Sequence, residues 1–291
     1  MIRYSHLPKN KVTHPKKTAT DLFVKIKDDT KAIDRKAGIL LIGGTSARDL
    51  VVRQAQSLLR FDRLPSYWSH AALILDWPDT AEPKDVIGAE VCLEPGDPTL
   101  QVPERNGVTF FRLDQYLDRD PFPNLAFGTL CLKEPKKQES KKKKGKSTDE
   151  AHVKANRDDL DPEVLKGKVV QAALNPCQDR MRFPLWEWLG QWQSFVHSAG
   201  NENPILQGIA HPGAAFCEYA YQAAGIDVTP GATAPNASPE HLWNAQIRWS
   251  QAWVSGGATV RVWAVTRKDV APTRVPMSTT LSLDQVREEL E

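Results

Sequence analysis

Between residues 38 and 132 the apolar residues come only in short runs: GILLIG (38–43), HAALILD (70–76), DVIGAEVCL (85–93), GVTFFRL (107–113) and LAFGTLCL (125–132). Runs of this length, rich in Val, Ile, Leu and Phe and bounded by Gly, Pro and Asp, predict strands rather than long helices. One helix interrupts them. Thr45 or Ser46 caps a segment reaching about Arg60, with Leu50, Val51, Ala55, Leu58 and Leu59 as its apolar face. Beyond residue 161 the spacing turns helical, and helices are expected over 161–174, 183–196, 214–224 and 238–249. The run ATVRVWAVT (258–266) then alternates as a strand that closes the sheet. Strands early and helices late make this an α+β chain.

The composition breaks once. Residues 133–146 hold eight Lys against two Glu, and polar sequence continues to about residue 161. Such a stretch has too little apolar surface to offset the entropy of ordering, so a disordered insertion is expected at about 133–161. Contact of this insertion with an anionic partner, lipid or RNA, is the functional alternative. Residues 1–35 are polar and Lys-rich and read as a flexible N-terminal arm; 36–266 read as one domain carrying the insertion. Residues 267–291 read as a tail in which Ser282 caps a short helix over 283–290. The 38 Lys and Arg nearly balance the 36 Asp and Glu, which gives no general reason to invoke specific nucleic-acid binding. The N-terminus has no apolar signal core, and no run approaches the ~20 apolar residues of a membrane helix. The expectation is a soluble chain made in the cytoplasm with no transmembrane segment, signal-independent export remaining open.

A few residues and one segment carry the chemistry. Cys217 follows Gly-Ala-Ala-Phe in the first turn of the helix expected over 214–224. Free amides and the positive dipole end there favour a thiolate and can donate to an oxyanion. His70 heads an apolar strand, where a sheet can hold its ring for use as a general base. Glu90 is a carboxylate inside the apolar strand 85–93, a costly placement unless the charge is paired, and it is the candidate that orients His70; Glu94 is a weaker one. The segment 183–196 packs three Trp and two Phe, with Trp186, Leu189, Trp192 and Val196 at helical spacing. It reads as a core helix or as the wall of an apolar substrate groove, with Trp186 and Trp192 as its candidate contacts. Tyr67, near His70, is a candidate substrate contact and oxyanion donor. Read singly, Cys217 is more often a small core residue and His70 more often a buried or edge histidine. His197 and His211 are alternative bases, His211 beside Pro-Gly reading as a turn residue. The four cysteines, Cys92, Cys131, Cys177 and Cys217, show no zinc-binding spacing even when combined with these histidines, so no metal or organic cofactor is expected. The Gly43-Gly44 junction lacks the Lys of a phosphate loop.

The order of these segments carries a resemblance. Ser69-His70-Ala-Ala-Leu-Ile-Leu, Val86-Ile87-Gly-Ala-Glu90, Gly107-Val108 and Leu113-Asp-Gln-Tyr-Leu117, followed by Phe216-Cys217-Glu-Tyr-Ala-Tyr-Gln-Ala-Ala-Gly-Ile-Asp227 and Ser238-Pro-Glu-His-Leu242, are similar to the circularly permuted papain-like (NlpC-type) cysteine hydrolases. The likeness is to the YiiX-like branch and, more distantly, to lecithin retinol acyltransferase. It implies a permuted papain-like fold, a small antiparallel sheet packed against helices. It further implies an acyl-enzyme mechanism with Cys217 as nucleophile, His70 as base and Glu90 as orienting group, cleaving an amide or ester bond. An acyl or lipid substrate is slightly favoured. The alternatives are a cell-wall peptide hydrolase, such as a delivered antibacterial toxin, and a non-catalytic binding module on the same fold. The chain departs from the pattern at Cys217-Glu218-Tyr219, where the family commonly has Cys-Ser-Glu.

Overall fold

The computed structural model describes residues 12–13, 19–91, 107–117, 121–132, 161–178, 192, 204, 209–229, 237–251 and 258–265. Its frame is six antiparallel strands in the order β7-β6-β2-β3-β4-β5, with a two-residue strand β1 added parallel to β7. The strands are β1 (Val12–Thr13), β2 (Ile39–Gly43), β3 (His70–Asp76), β4 (Ile87–Val91), β5 (Val108–Arg112), β6 (Asn124–Leu132) and β7 (Ala258–Val265). The helices are α1 (Ala19–Asp29), α2 (Ala32–Arg35), α3 (Ala47–Ala55), α4 (Pro162–Gln178), α5 (Pro212–Ala223) and α6 (Pro239–Gln251). The α+β class and the five early runs therefore fold as their lengths and turn residues predict.

Successive strand residues face opposite ways, so each strand feeds two apolar layers. Leu41 of β2, Ala71 and Leu73 of β3, and Ala89 and Val91 of β4 join one core with α3, α4, α5 and α6. Leu40 and Ile42, Ala72 and Ile74, and Phe127 of β6 join a second core with α1.

Residues 19–35 of the arm expected to be flexible are instead packed on that second core. Leu22, Phe23 and Ile26 form an apolar stripe along α1 and are buried, and the Phe23 ring stacks on Trp77 at 5.0 Å. Arg35, itself buried, donates to the Thr30 carbonyl at 2.6 Å and the Trp77 carbonyl at 3.3 Å, closing the corner after α1. The Lys residues around this stripe are what gave it a loose appearance in sequence. The expected insertion at 133–161, except Asp161, and the C-terminal tail 267–291 lie outside the described residues.

Two features fix the approach to β3. Ser46 caps α3 by accepting from the Asp49 amide at 3.1 Å, while the Asp49 carboxylate accepts from the Ser46 amide at 3.2 Å, a reciprocal capping box. The chain continues through a 3-10 turn whose Gln56 donates to the Trp68 carbonyl and accepts from the Glu240 amide, each at 2.8 Å. Trp68 packs on Trp243 of α6 with centroids 4.9 Å apart. The backbone entering His70 is thus tied to both α3 and α6.

Candidate functional site

His70 is the first residue of β3 and pairs in register with Ile42 of β2. The preceding Ser69 fixes it, its amide donating to the Ile42 carbonyl at 2.8 Å and its hydroxyl accepting from the Gly44 amide at 3.0 Å. On the other side, Ala72 stands opposite Glu90 of β4. Residues 70 and 72 share a face, so Glu90 reaches His70 diagonally across the strand pair. The result is a contact of 2.8 Å between His70 Nε2 and a Glu90 carboxylate oxygen, Oε2. The same oxygen accepts from the hydroxyl of Tyr116, at the end of the 3-10 turn following β5. Two donors satisfy a carboxylate that is only 5% exposed, which accounts for a charged residue inside an apolar strand.

With Nε2–H directed at Glu90, the neutral imidazole keeps its lone pair on Nδ1. Gly213, the second residue of α5, stands against the Cε1–Nδ1 side of the ring. A Cβ placed there would stand 3.1 Å from His70 Cε1 and 3.3 Å from Nδ1, and inside the van der Waals surface of the Ala71 carbonyl oxygen. The first turn of α5 approaches β3 so closely because residue 213 has no side chain.

Cys217 stands further along the same helix. The expectation that it occupies the first turn is corrected: α5 begins at Pro212, with His211 at the N-cap, so Cys217 is the sixth helical residue. It stands one turn past Gly213, about 6 Å along the axis, where backbone amides are already bonded within the helix. Its side chain is fully buried in the core with Ala71, Leu73, Ala89 and Val91, residues that alternate with His70 and Glu90 along their strands. Burial, and secondarily the Glu218 carboxyl, push its thiol pKa up rather than down.

His211 is not a solvated turn residue. It is fully buried, its amide donates to the Ala237 carbonyl at 2.9 Å, and its ring lies edge-on to His70 with centroids 5.8 Å apart. Burial, then the neighbouring His70, hold its pKa well below the usual histidine value, so it is neutral. Trp192, also fully buried, stands edge-on to His211 at 6.2 Å, which brings it beside the site. Trp186 and His197 lie outside the described residues. Tyr67 is turned toward Trp68 and the Arg60 guanidinium, 5.1 Å from its ring centroid.

The aromatic hydroxyl bound to the site's carboxylate is therefore that of Tyr116. Tyr116 lies in the Leu113–Leu117 segment of the resemblance, yet sequence reasoning gave it no role, because its contact with Glu90 depends on β5 pairing with β4. Gly213 was read only as part of the loop before the helix, and the close approach that its missing side chain permits depends on the packing of α5 against β3. Among the described residues no group of three or more His, Cys, Asp or Glu is arranged to hold a metal ion. None of the described helices is long and apolar enough to cross a membrane. No family model and no curated protein matches the chain.

Proposed function

We propose that this chain is a recognition module on a permuted papain-like scaffold, which binds a carbonyl-bearing ligand without cleaving it. The observation that carries this reading is that Gly213 stands against the Cε1–Nδ1 side of His70 while Cys217, one turn along the helix, is fully buried. A thiol nucleophile needs a depressed pKa and access to a base. Cys217 has the opposite shift and no exposure. His70 retains 15% side-chain exposure and a ring held by Glu90, beside the first-turn amides of α5. The amides of Gly213 and Ala214 would donate to a carbonyl oxygen, His70 Nδ1 would accept an N–H or O–H of the same ligand, and the buried thiol would leave the carbonyl carbon unattacked.

A second reading remains in view because the His70–Glu90 pair is oriented as a general base requires. In it the chain is a cysteine hydrolase or acyltransferase. Cys217 sulfur attacks an amide or ester carbonyl, its proton passes to His70 and then to the departing amine or alcohol, and water or another acceptor releases the acyl group. Its substrates would be an acyl or lipid ester or a cell-wall peptide, the latter fitting a delivered toxin. The Lys-rich segment would meet an anionic partner under either reading.

Incubating wild type and Cys217→Ala with purified phospholipid and with cell wall separates the readings. The recognition reading expects no product that depends on the cysteine. Fatty acid, lysolipid or stem-peptide release by wild type that is lost in Cys217→Ala would establish the hydrolase instead.

A further inference from the structure

At the end of the sheet away from His70 there is a second feature. Along β3, Asp76 is six residues from His70, about 20 Å away. A β-bulge there sets both Leu75 and Asp76 against Ile87 of β4, re-aiming the strand end. Across from it, Val170 and Leu174 of α4 stand over the outer strands. Between them opens a groove of about 650 Å³, within the ~300–1,000 Å³ typical of small-ligand sites.

The walls are apolar, and two of them, Ile87 and Phe110, are 39% and 54% exposed. They share a face by register, since Ile87 pairs with Arg112 and Ala89 with Phe110. Large apolar side chains left in water beside a groove mark a binding surface more than a folding requirement. The charged groups lining it are Lys36, Arg112 and Asp76, two cations against one carboxylate. Arg112 is held in place by its donation to the Lys84 carbonyl at 2.6 Å.

An apolar channel with an excess of fixed positive charge selects an anion carrying an apolar tail. We infer that this groove binds a long-chain fatty carboxylate, with the chain along Ile87, Phe110, Val170 and Leu174 and the carboxylate at Lys36 and Arg112. Arg presents a planar fork suited to a carboxylate, and Lys adds a point charge. The site is separate from His70 and does not depend on whether the chain also cleaves anything.

The test is titration of the full chain with palmitate, methyl palmitate, octanoate and anionic phospholipid vesicles, followed by calorimetry. Saturable binding of palmitate at one site is expected, with octanoate weaker by up to about fourfold per methylene removed from the groove. Arg112→Gln with Lys36→Gln should weaken palmitate at least tenfold and leave methyl palmitate unchanged. Phe110→Asp, at an exposed position that does not disturb the core, should abolish both, with its thermal melt confirming the fold. Absence of saturable palmitate binding, equal binding by wild type and the Phe110→Asp variant, or binding to vesicles alone would each overturn the assignment.

Discussion

Gly213 is the position where the account of the site is most exposed to a simple perturbation. Gly213→Ala adds one methyl group against the Ala71 carbonyl and 3.1 Å from the His70 ring. Overpacking of this kind costs typically ~1–3 kcal/mol. Ala is a better helix former than Gly by up to about 1 kcal/mol in a helix interior, and by less in the first turn. The net expectation is a destabilisation of about 1–2 kcal/mol, or a fall in Tm of roughly 5 °C for a domain of this size. The control is Gly167→Ala in α4, where a Cβ meets nothing within 4 Å. There only the propensity gain operates, and stability should rise by about 0.5–1 kcal/mol. Urea unfolding of both variants alongside wild type measures the pair. If Gly213→Ala is neutral or stabilises like Gly167→Ala, the close approach of α5 to β3 is not real, and the reasoning that makes residue 213 the neighbour of His70 falls with it.

The core and one buried cation give two further tests. Phe23→Ala should cost ~3–5 kcal/mol by denaturant unfolding, because the ring is buried against Trp77; a change below about 0.5 kcal/mol would mean that α1 is the loose arm its sequence suggests. Lys166 of α4 is buried, donates to Thr129 Oγ1 at 3.1 Å, and has its pKa lowered to about 8 by burial. Between about 8 and the ordinary value of 10.5 the unfolded chain holds a proton that the folded chain has released. Stability contributed by this residue should therefore rise with pH across that window, by up to about 3 kcal/mol, and Lys166→Met should flatten the rise.

What could be read from sequence was whatever depended on local pattern. The short apolar runs became β2 to β6, as their length and flanking turn residues predict. A charged residue inside an apolar strand needs a partner, and Glu90 finds His70. What failed depended on position along a helix or on distant packing. Placing the start of α5 at Ala214 instead of Pro212 put Cys217 in the first turn, although the helix carries it into the second. A shift of two residues decides whether a thiol sees free amides or a closed core. His211 looked like a turn residue because Pro-Gly follows it, yet the N-cap of a packed helix is buried. In α1, the spacing of Leu22, Phe23 and Ile26 was present, but the surrounding lysines outweighed it.

The most direct test of the central claim is the reactivity of Cys217, read residue by residue by mass spectrometry after brief iodoacetamide treatment at pH 6. Cys217 is expected to be alkylated no faster than the chain unfolds, and His70→Ala is expected not to slow it. Rapid labelling of Cys217 at pH 6, ahead of buried Cys131 and slowed by His70→Ala, would contradict it and make the thiol a working nucleophile.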